Sequence, residues 1–449
     1  MIGELLRASV SRYTVALGYP EFRTMWLASL AAQAAAWALI VSRGWLVFDM
    51  TGSSMVVGVV TFAAMAPMIF VPPIAGVLAD RFDRRNVLAS TYAVNLVHNL
   101  VLALLAATGL INEWHLVALS VVNGMARATQ QSVVQALAAN LVPPERLLNA
   151  LSLTAATQHA SRLTGPALVV PLLGFFGAPA AFFLCTALYG LGWLQILRVQ
   201  TRSSGGVQRG QSFVQGFTDG LRYAWTQPLI RMVLVMVFFH CSLTMAFESL
   251  LPTFAAQQFS GRALAGVPGV ATHEHMGELA MPLGGFNSEA TDFAILMMGV
   301  GAGALVGSIL IGGIESRLVR GRLYLAMGVL SGLGEMMLSF APNLGIAFLA
   351  AAVMGGSQSA FMTMGQALMQ SLAADEFRGR IASLNTLSFG GIMAVMTLFN
   401  GYLGTHTTAA SILLADGLLF ASIMLASVSF AVPRGVYVRG MPARAVAAS

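Results

Sequence analysis

The sequence predicts an all-α membrane protein, a bundle of twelve transmembrane helices in two pseudo-symmetric six-helix halves. Three observations carry that expectation. Hydrophobic residues make up 57% of the 449 and charged residues only 9%, with a mean hydropathy of +0.76; a soluble chain carries about 25% charged residues. Apolar runs near the ~20 residues needed to cross a bilayer recur along the whole chain. Arginines fill alternate connections between those runs, the pattern left by the positive-inside rule.

The first span, 24–48, follows Arg7, Arg12 and Arg23 and is too long for a signal-peptide core. It lacks a cleavage pattern and is expected to stay as an uncleaved helix. Spans 55–79 and 87–109 flank a charged loop, Gly76 to Arg85, that cannot lie in hydrocarbon. Spans 116–139, 150–173 and 178–197 complete a first half, 1–197. A cytoplasmic linker, 198–231, opens with Thr201-Arg202-Ser203-Ser204-Gly205-Gly206, flexible by composition. Its second part spaces Phe213, Phe217, Leu221 and Trp225 four apart, which predicts an amphipathic helix at the membrane surface. The second half, 232–431, holds spans 232–255, 293–314, 323–341, 344–370, 382–403 and 408–431, and residues 432–449 form a tail.

With the N-terminus inside, the cytoplasmic segments hold nearly all 24 basic residues, every one an arginine. Only Arg262 falls outside, and Arg43, Arg127 and Arg162 fall within spans. Both termini are therefore expected in the cytoplasm. The halves also echo each other. Gly312, Ser316, Arg317 and Arg320 follow the spacing of Gly76, Asp80, Arg81 and Arg84, while Glu376 and Ser383 follow Glu145 and Ser152. Two six-helix repeats of common design account for both matches.

The segment Gly76-Val77-Leu78-Ala79-Asp80-Arg81-Phe82-Asp83-Arg84-Arg85 resembles the loop between helices 2 and 3 that marks the major facilitator superfamily, with Asp83 where many relatives carry glycine. Four further stretches are similar to the drug:proton antiporter-3 group, which includes macrolide-efflux and siderophore-exporter proteins: Gly44 to Ser53, Leu141 to Ala150, Gly165-Pro166-Ala167-Leu168, and Phe377 to Leu384. The resemblance spans most of the chain and implies the major facilitator fold. It departs in two places. Ala36 precedes Trp37 where many relatives have Asp, and Gly165-Pro166 is not followed by further glycines.

Several classes are set aside. The arginines are dispersed over loops and not gathered with aromatics, so nucleic acid is not an expected partner. Cys185 and Cys241 lie in apolar spans and read as small hydrophobes. Gly299-x-Gly301-x-Gly303 follows no strand and predicts close helix packing, not dinucleotide binding. No nucleophile constellation, nucleotide loop or metal-ligand spacing is present, so no catalysis, cofactor or metal is expected. The long outer loop 256–292, with His273-Glu274-His275 and Glu278, reads as solvated and dispensable for the fold.

Ionisable residues inside a span are costly, about 2.5–3.5 kcal/mol on insertion scales, and so point to function. In the superfamily helices 1, 4, 7 and 10 line the central cavity, which makes Arg43, Arg127, His240 and Glu248 candidates for substrate or proton binding, with Gln33 and Gln358 as uncharged lining. Asn95, Asn99 and Asn123 could extend that lining. Glu335, Asp416 and Arg162 read as packing residues, and His98 as a hydrogen-bonded core residue. Aligned spans place Arg43 and Glu248 at similar depth, as a pair that could latch one state. Gly76, Asp80, Arg81, Arg84 and Arg85 are the expected gating loop, with Asp80 capping the next helix or pairing with an arginine.

The expected function is export of an amphipathic or hydrophobic small molecule by alternating access, through proton-coupled antiport driven by the proton gradient, in a bacterial inner membrane and as a monomer. A lipid or lysophospholipid carrier, or a transport-inactive sensor with the same fold, is the alternative.

Overall fold

The computed structural model describes residues 15–201, 213–259, 288–312, 316–374 and 377–440, and among these every regular element is helical. The first span is α1, Pro20–Thr51. Proline at its first position costs no hydrogen bond, and Gly52, at φ 60, ends it with its N–H on the Phe48 carbonyl. The second span is split by Pro67 into α2 (Ser54–Met65) and α3 (Pro67–Arg81). The third is α4, Arg84–Ala107, capped by Asp83, which accepts from the Arg85 N–H at 3.0 Å. The departing Asp83 thus makes this cap, and the roles expected of Gly76 and Asp80 lie outside the described residues.

The fourth span is α5, Glu113–Leu141, started by Asn112. The fifth and sixth run together as α6, Leu147–Ile196, turning at Gly177, whose φ of 73 breaks an otherwise helical path. The linker helix α7, Phe213–Thr226, forms where the four-residue spacing predicts it. Leu221 and Trp225 stay exposed while Gly220 and Ala224 are buried against the protein. Of the predicted apolar stripe, Leu221 and Trp225 therefore face away from the protein, and Gly220 and Ala224 lie on the side turned toward it.

The seventh span is not one helix. It consists of α8 (Pro228–Phe239), a π turn at His240–Thr244, a 3-10 turn at Ala246–Ser249, and α9 (Leu251–Phe259). Pro252, which has no N–H to give, stands at the start of α9. Spans eight to ten are α10 (Ser288–Gly312), α11 (Arg317–Ser339) and α12 (Leu344–Leu372). The eleventh is α13 (Arg378–Leu387), a π turn at Ser388–Ile392, and α14 (Met393–Leu403). The twelfth is α15, Ala409–Ser427, and the chain then adds α16, Ala431–Arg439, within what the sequence reads as a tail. Residues 260–287 of the long loop are outside the described set.

Eight described helical stretches are long and apolar enough to cross a membrane, and two of them, Ser54–Pro72 and Pro228–Ser249, run through the breaks just described. The remaining spans are disguised by physical causes. Two are fused in α6, the fourth carries Arg127, Gln130 and Gln131, the ninth opens with Arg317, Arg320 and Arg322, and the eleventh is broken.

Within the first half α1 lies along α6, and within the second α10 packs on α12 while α11 packs on α15. The halves meet along α10 with α6 and along α14 with α2. Glycines permit the close approaches. A Cβ on Gly303 would stand 1.8 Å from the Ala352 carbonyl oxygen, and one on Gly301 2.2 Å from that of Arg162. The glycine run therefore serves helix packing as expected, joining α10 to α12 on one side and to α6 on the other.

Candidate functional site

Between the halves lies a cavity to which six spans contribute. Trp37, Ile40, Arg43, Gly44 and Val47 come from α1, and Val57 to Met68 from the second span. Arg127 comes from α5, Glu248 from the 3-10 turn of the seventh span, Phe293 and Met297 from α10, and Phe389 and Met393 from the eleventh span. The walls are apolar apart from Thr61, the Trp37 indole and three charged side chains.

Those charges are arranged around Trp37 and Glu248. The Arg162 guanidinium lies 4.8 Å from the Trp37 ring centroid and that of Arg127 lies 5.7 Å from it, within cation–π range for both. Glu248 interacts electrostatically with Arg162 most strongly, then with Arg127 and Arg43. Among the described residues none of these arginines brings a nitrogen within 4.0 Å of its carboxylate. Arg43 does not reach outward along the helix; it is buried and donates to Asn123 Oδ1 at 3.5 Å. Asn123 in turn donates to Asn95 Oδ1 at 2.8 Å. The asparagines expected to line the cavity, Asn95, Asn99 and Asn123, are instead buried behind Arg43.

The seventh span supplies Glu248 from a stretch whose backbone is not α-helical. Breaking a helix frees carbonyls that must find other donors. Gln358 Nε2 donates to the Thr244 carbonyl, and Asn400 Nδ2 reaches the Ala246 carbonyl at 3.4 Å. Ser249 Oγ donates to the Thr397 carbonyl at 2.9 Å. The break is therefore held by side chains of the tenth and eleventh spans.

Three expectations are corrected here. His240 does not face the cavity. It is fully buried, bonded to Thr244 Oγ1 at 2.6 Å and packed against Phe361 and Phe420 at ring distances of 4.6 and 5.1 Å. Gln358 is a support for the broken span and not a lining residue, and Gln33 is half-buried on α1 outside the cavity. Arg162 and Trp37, by contrast, belong to the charged group. The sequence signal for Arg162 was its place in mid-span; its partner Trp37 lies far away in the chain and could be found only from the fold.

At the arginine-rich end, Arg84 donates to the Ala136 carbonyl at 3.2 Å and to Asn140 Oδ1 at 2.7 Å. Arg85 donates to the Leu197 carbonyl at 2.5 Å. These arginines tie the loop to the ends of the fourth and sixth spans, while Arg81 is exposed. Glu335 is fully buried with neither carboxylate oxygen hydrogen-bonded, and it interacts with Asp416, which accepts from Asn400 at 3.0 Å. Among the described residues no group of three or more metal-ligating side chains converges.

An apolar-walled cavity holding three charged side chains thus lies between the two halves, and comparison with known proteins says what kind of protein builds it. The sequence profile described as transmembrane secretion effector matches residues 14–268 and 283–444. The chain belongs to that family of major facilitator transporters. It is 25% identical over 383 residues to the multidrug efflux pump Tap of Mycobacterium tuberculosis, covering 80% of this chain and 81% of that one. It is 20% identical over 379 residues to macrolide efflux protein A of Streptococcus pyogenes, covering 84% and 86%. Among solved structures the nucleoside transporter NupG superposes with a TM-score of 0.70 at 11% identity, over 92% of this chain and all of the other. A POT family transporter bound to 5-aminolevulinic acid gives 0.68 at 12% identity, over 91% and 95%. At such identities the two structures speak for the fold alone. This member of the family is a multi-pass membrane transporter, and its relatives are bacterial efflux pumps.

Proposed function

We propose that the chain exports an amphipathic small molecule by alternating access, exchanging it for protons across a bacterial inner membrane with both termini in the cytoplasm. The observation that carries this reading is the cavity built by both halves, with apolar walls and ionisable groups among its lining. Apolar surface accommodates the body of such a molecule, and charged groups in a low-dielectric site orient it and report protonation. The space open to water-sized bodies is about 70 Å³, far below the ~300 Å³ at the lower end for drug-sized pockets. Loading therefore requires the halves to part.

The names of the relatives support efflux, and the proton gradient is the energy source that fits a chain without a nucleotide-binding motif. Reconstitution into proteoliposomes with an imposed pH gradient tests the reading. Accumulation of a lipophilic dye that collapses when a protonophore is added is the expected result. Gradient-independent leakage, equal to that of empty liposomes, would rule it out.

A further inference from the structure

The cavity has more positive charge than the seventh span can balance. Arg43 and Arg127 line it, Arg162 stacks on its Trp37 wall, and Glu248 is the single acid among the lining residues. Among the described residues no other titratable side chain lines it. Three guanidiniums to one carboxylate leave an excess of positive charge in a water-poor site. Arg43 is held by Asn123, an uncharged partner. Arg127 and Arg162 rest on the face of Trp37, which neutralises nothing. Buried charge persists only when paired, so the counter-charge has to come from the molecule that occupies the site.

We infer that the cavity is selective for amphipathic anions, molecules with a carboxylate, sulfonate or phosphate group on an apolar body. The inference rests on the transporter reading above and narrows its substrate class. The anionic head lies between Arg127 and Arg162, whose planar forks match two-oxygen acceptors. The body lies against Phe293, Met297, Phe389 and Met393, where the thioethers adapt to shape. Glu248 competes with the ligand for the same guanidiniums, so ligand and carboxylate oppose each other.

The test uses the full chain in nanodiscs with two xanthene dyes of matched shape, anionic carboxyfluorescein and cationic rhodamine 123, followed by fluorescence anisotropy at constant pH. Carboxyfluorescein should bind at least about tenfold tighter, the scale of one charge-assisted contact, and its affinity should fall with salt. Arg127→Gln and Arg162→Gln should each weaken it about tenfold, while Arg127→Lys, which keeps the charge, loses less. Glu248→Gln should tighten it. Tighter rhodamine binding, no binding of either dye, or carboxyfluorescein affinity indifferent to both arginines overturns the inference.

Transport arms in proteoliposomes separate this from the underlying reading. Gradient-driven movement of rhodamine 123 but not carboxyfluorescein sinks the anion inference and leaves the exporter. Tight carboxyfluorescein binding without gradient-driven movement of either dye keeps the anion site and sinks the exporter. A headgroup-anionic single-chain lipid, fluorescent lysophosphatidylglycerol placed in the bilayer, distinguishes a lipid from a solute source. Arginine-dependent flipping of that lipid, with carboxyfluorescein bound but not moved, identifies a lipid anion and retains the charge selectivity.

Discussion

At the scale of single residues, the free energy of burial decides which positions were readable. A charge in an apolar run is costly wherever the run lies, so Arg43, Arg127 and Glu248 stood out in the sequence, and the structure places them around one cavity. The direction a side chain takes on an irregular helix cannot be read that way. His240 was misplaced because it sits in a π turn, where helical periodicity no longer assigns faces. Two predictions belong here. Gly303→Ala should push α10 from α12, since its Cβ would meet the Ala352 carbonyl at 1.8 Å, at a cost of about 1–3 kcal/mol for overpacking. Gly345→Ala, whose nearest neighbour is Asn343 Oδ1 at 3.5 Å, should be neutral, and melting of the purified proteins compares the two. Glu335 is the second case. Both its oxygens are buried without a hydrogen-bond partner, so Glu335→Leu removes an uncompensated burial and should raise the melting temperature. A lower melting temperature would show that the carboxyl stabilises the fold in spite of its unpaired oxygens.

At the scale of elements, span existence was legible and span continuity was not. The apolar run 232–255 looks unbroken in sequence, but the helix is interrupted from His240 to Ser249. Pro252 was the available sign, and the donors that make the break tolerable, Gln358 and Asn400, lie more than a hundred residues later. Asn400→Leu keeps the apolar fit and removes a donor shared by the Ala246 carbonyl and Asp416. Stability should fall by about 1–3 kcal/mol, the cost of an unsatisfied buried group, and Gln358→Leu should act alike. Unchanged melting in both would mean that the break holds itself. The linker helix is fixed by different means. Tyr223 stacks on Phe377 with ring centroids 4.1 Å apart and its hydroxyl accepts from the Ala374 N–H at 3.1 Å, while Asp219 pairs with Arg380 at 3.7 Å. Tyr223→Ala removes the stack and the acceptor together, so hydrogen exchange along 218–226 should speed up while exchange in α8 stays protected.

At the scale of the whole molecule, the two halves have to separate on one side at a time if the carrier works by alternating access. The fold places their contact near the connections after the first and eleventh spans. Ser54 Oγ donates to the Gly401 carbonyl at 3.2 Å, and a Cβ on Gly404 would stand 3.0 Å from Ser54 Cβ. Ser54 belongs to the first half and Gly404 to the second, so this seam joins the halves and nothing covalent spans it. A disulfide needs Cβ atoms about 3.5–4.5 Å apart, which a small backbone adjustment supplies. Ser54→Cys with Gly404→Cys should therefore cross-link on oxidation, and the native Cys185 and Cys241 are both buried and out of reach. If the seam must open in each cycle, the oxidised double variant should lose gradient-driven transport and regain it with reductant, while each single variant transports in both conditions. Full transport by the cross-linked protein would show that the halves move without parting at this mouth, and the alternating-access reading would then have to place the moving contact elsewhere, along α10 and α6.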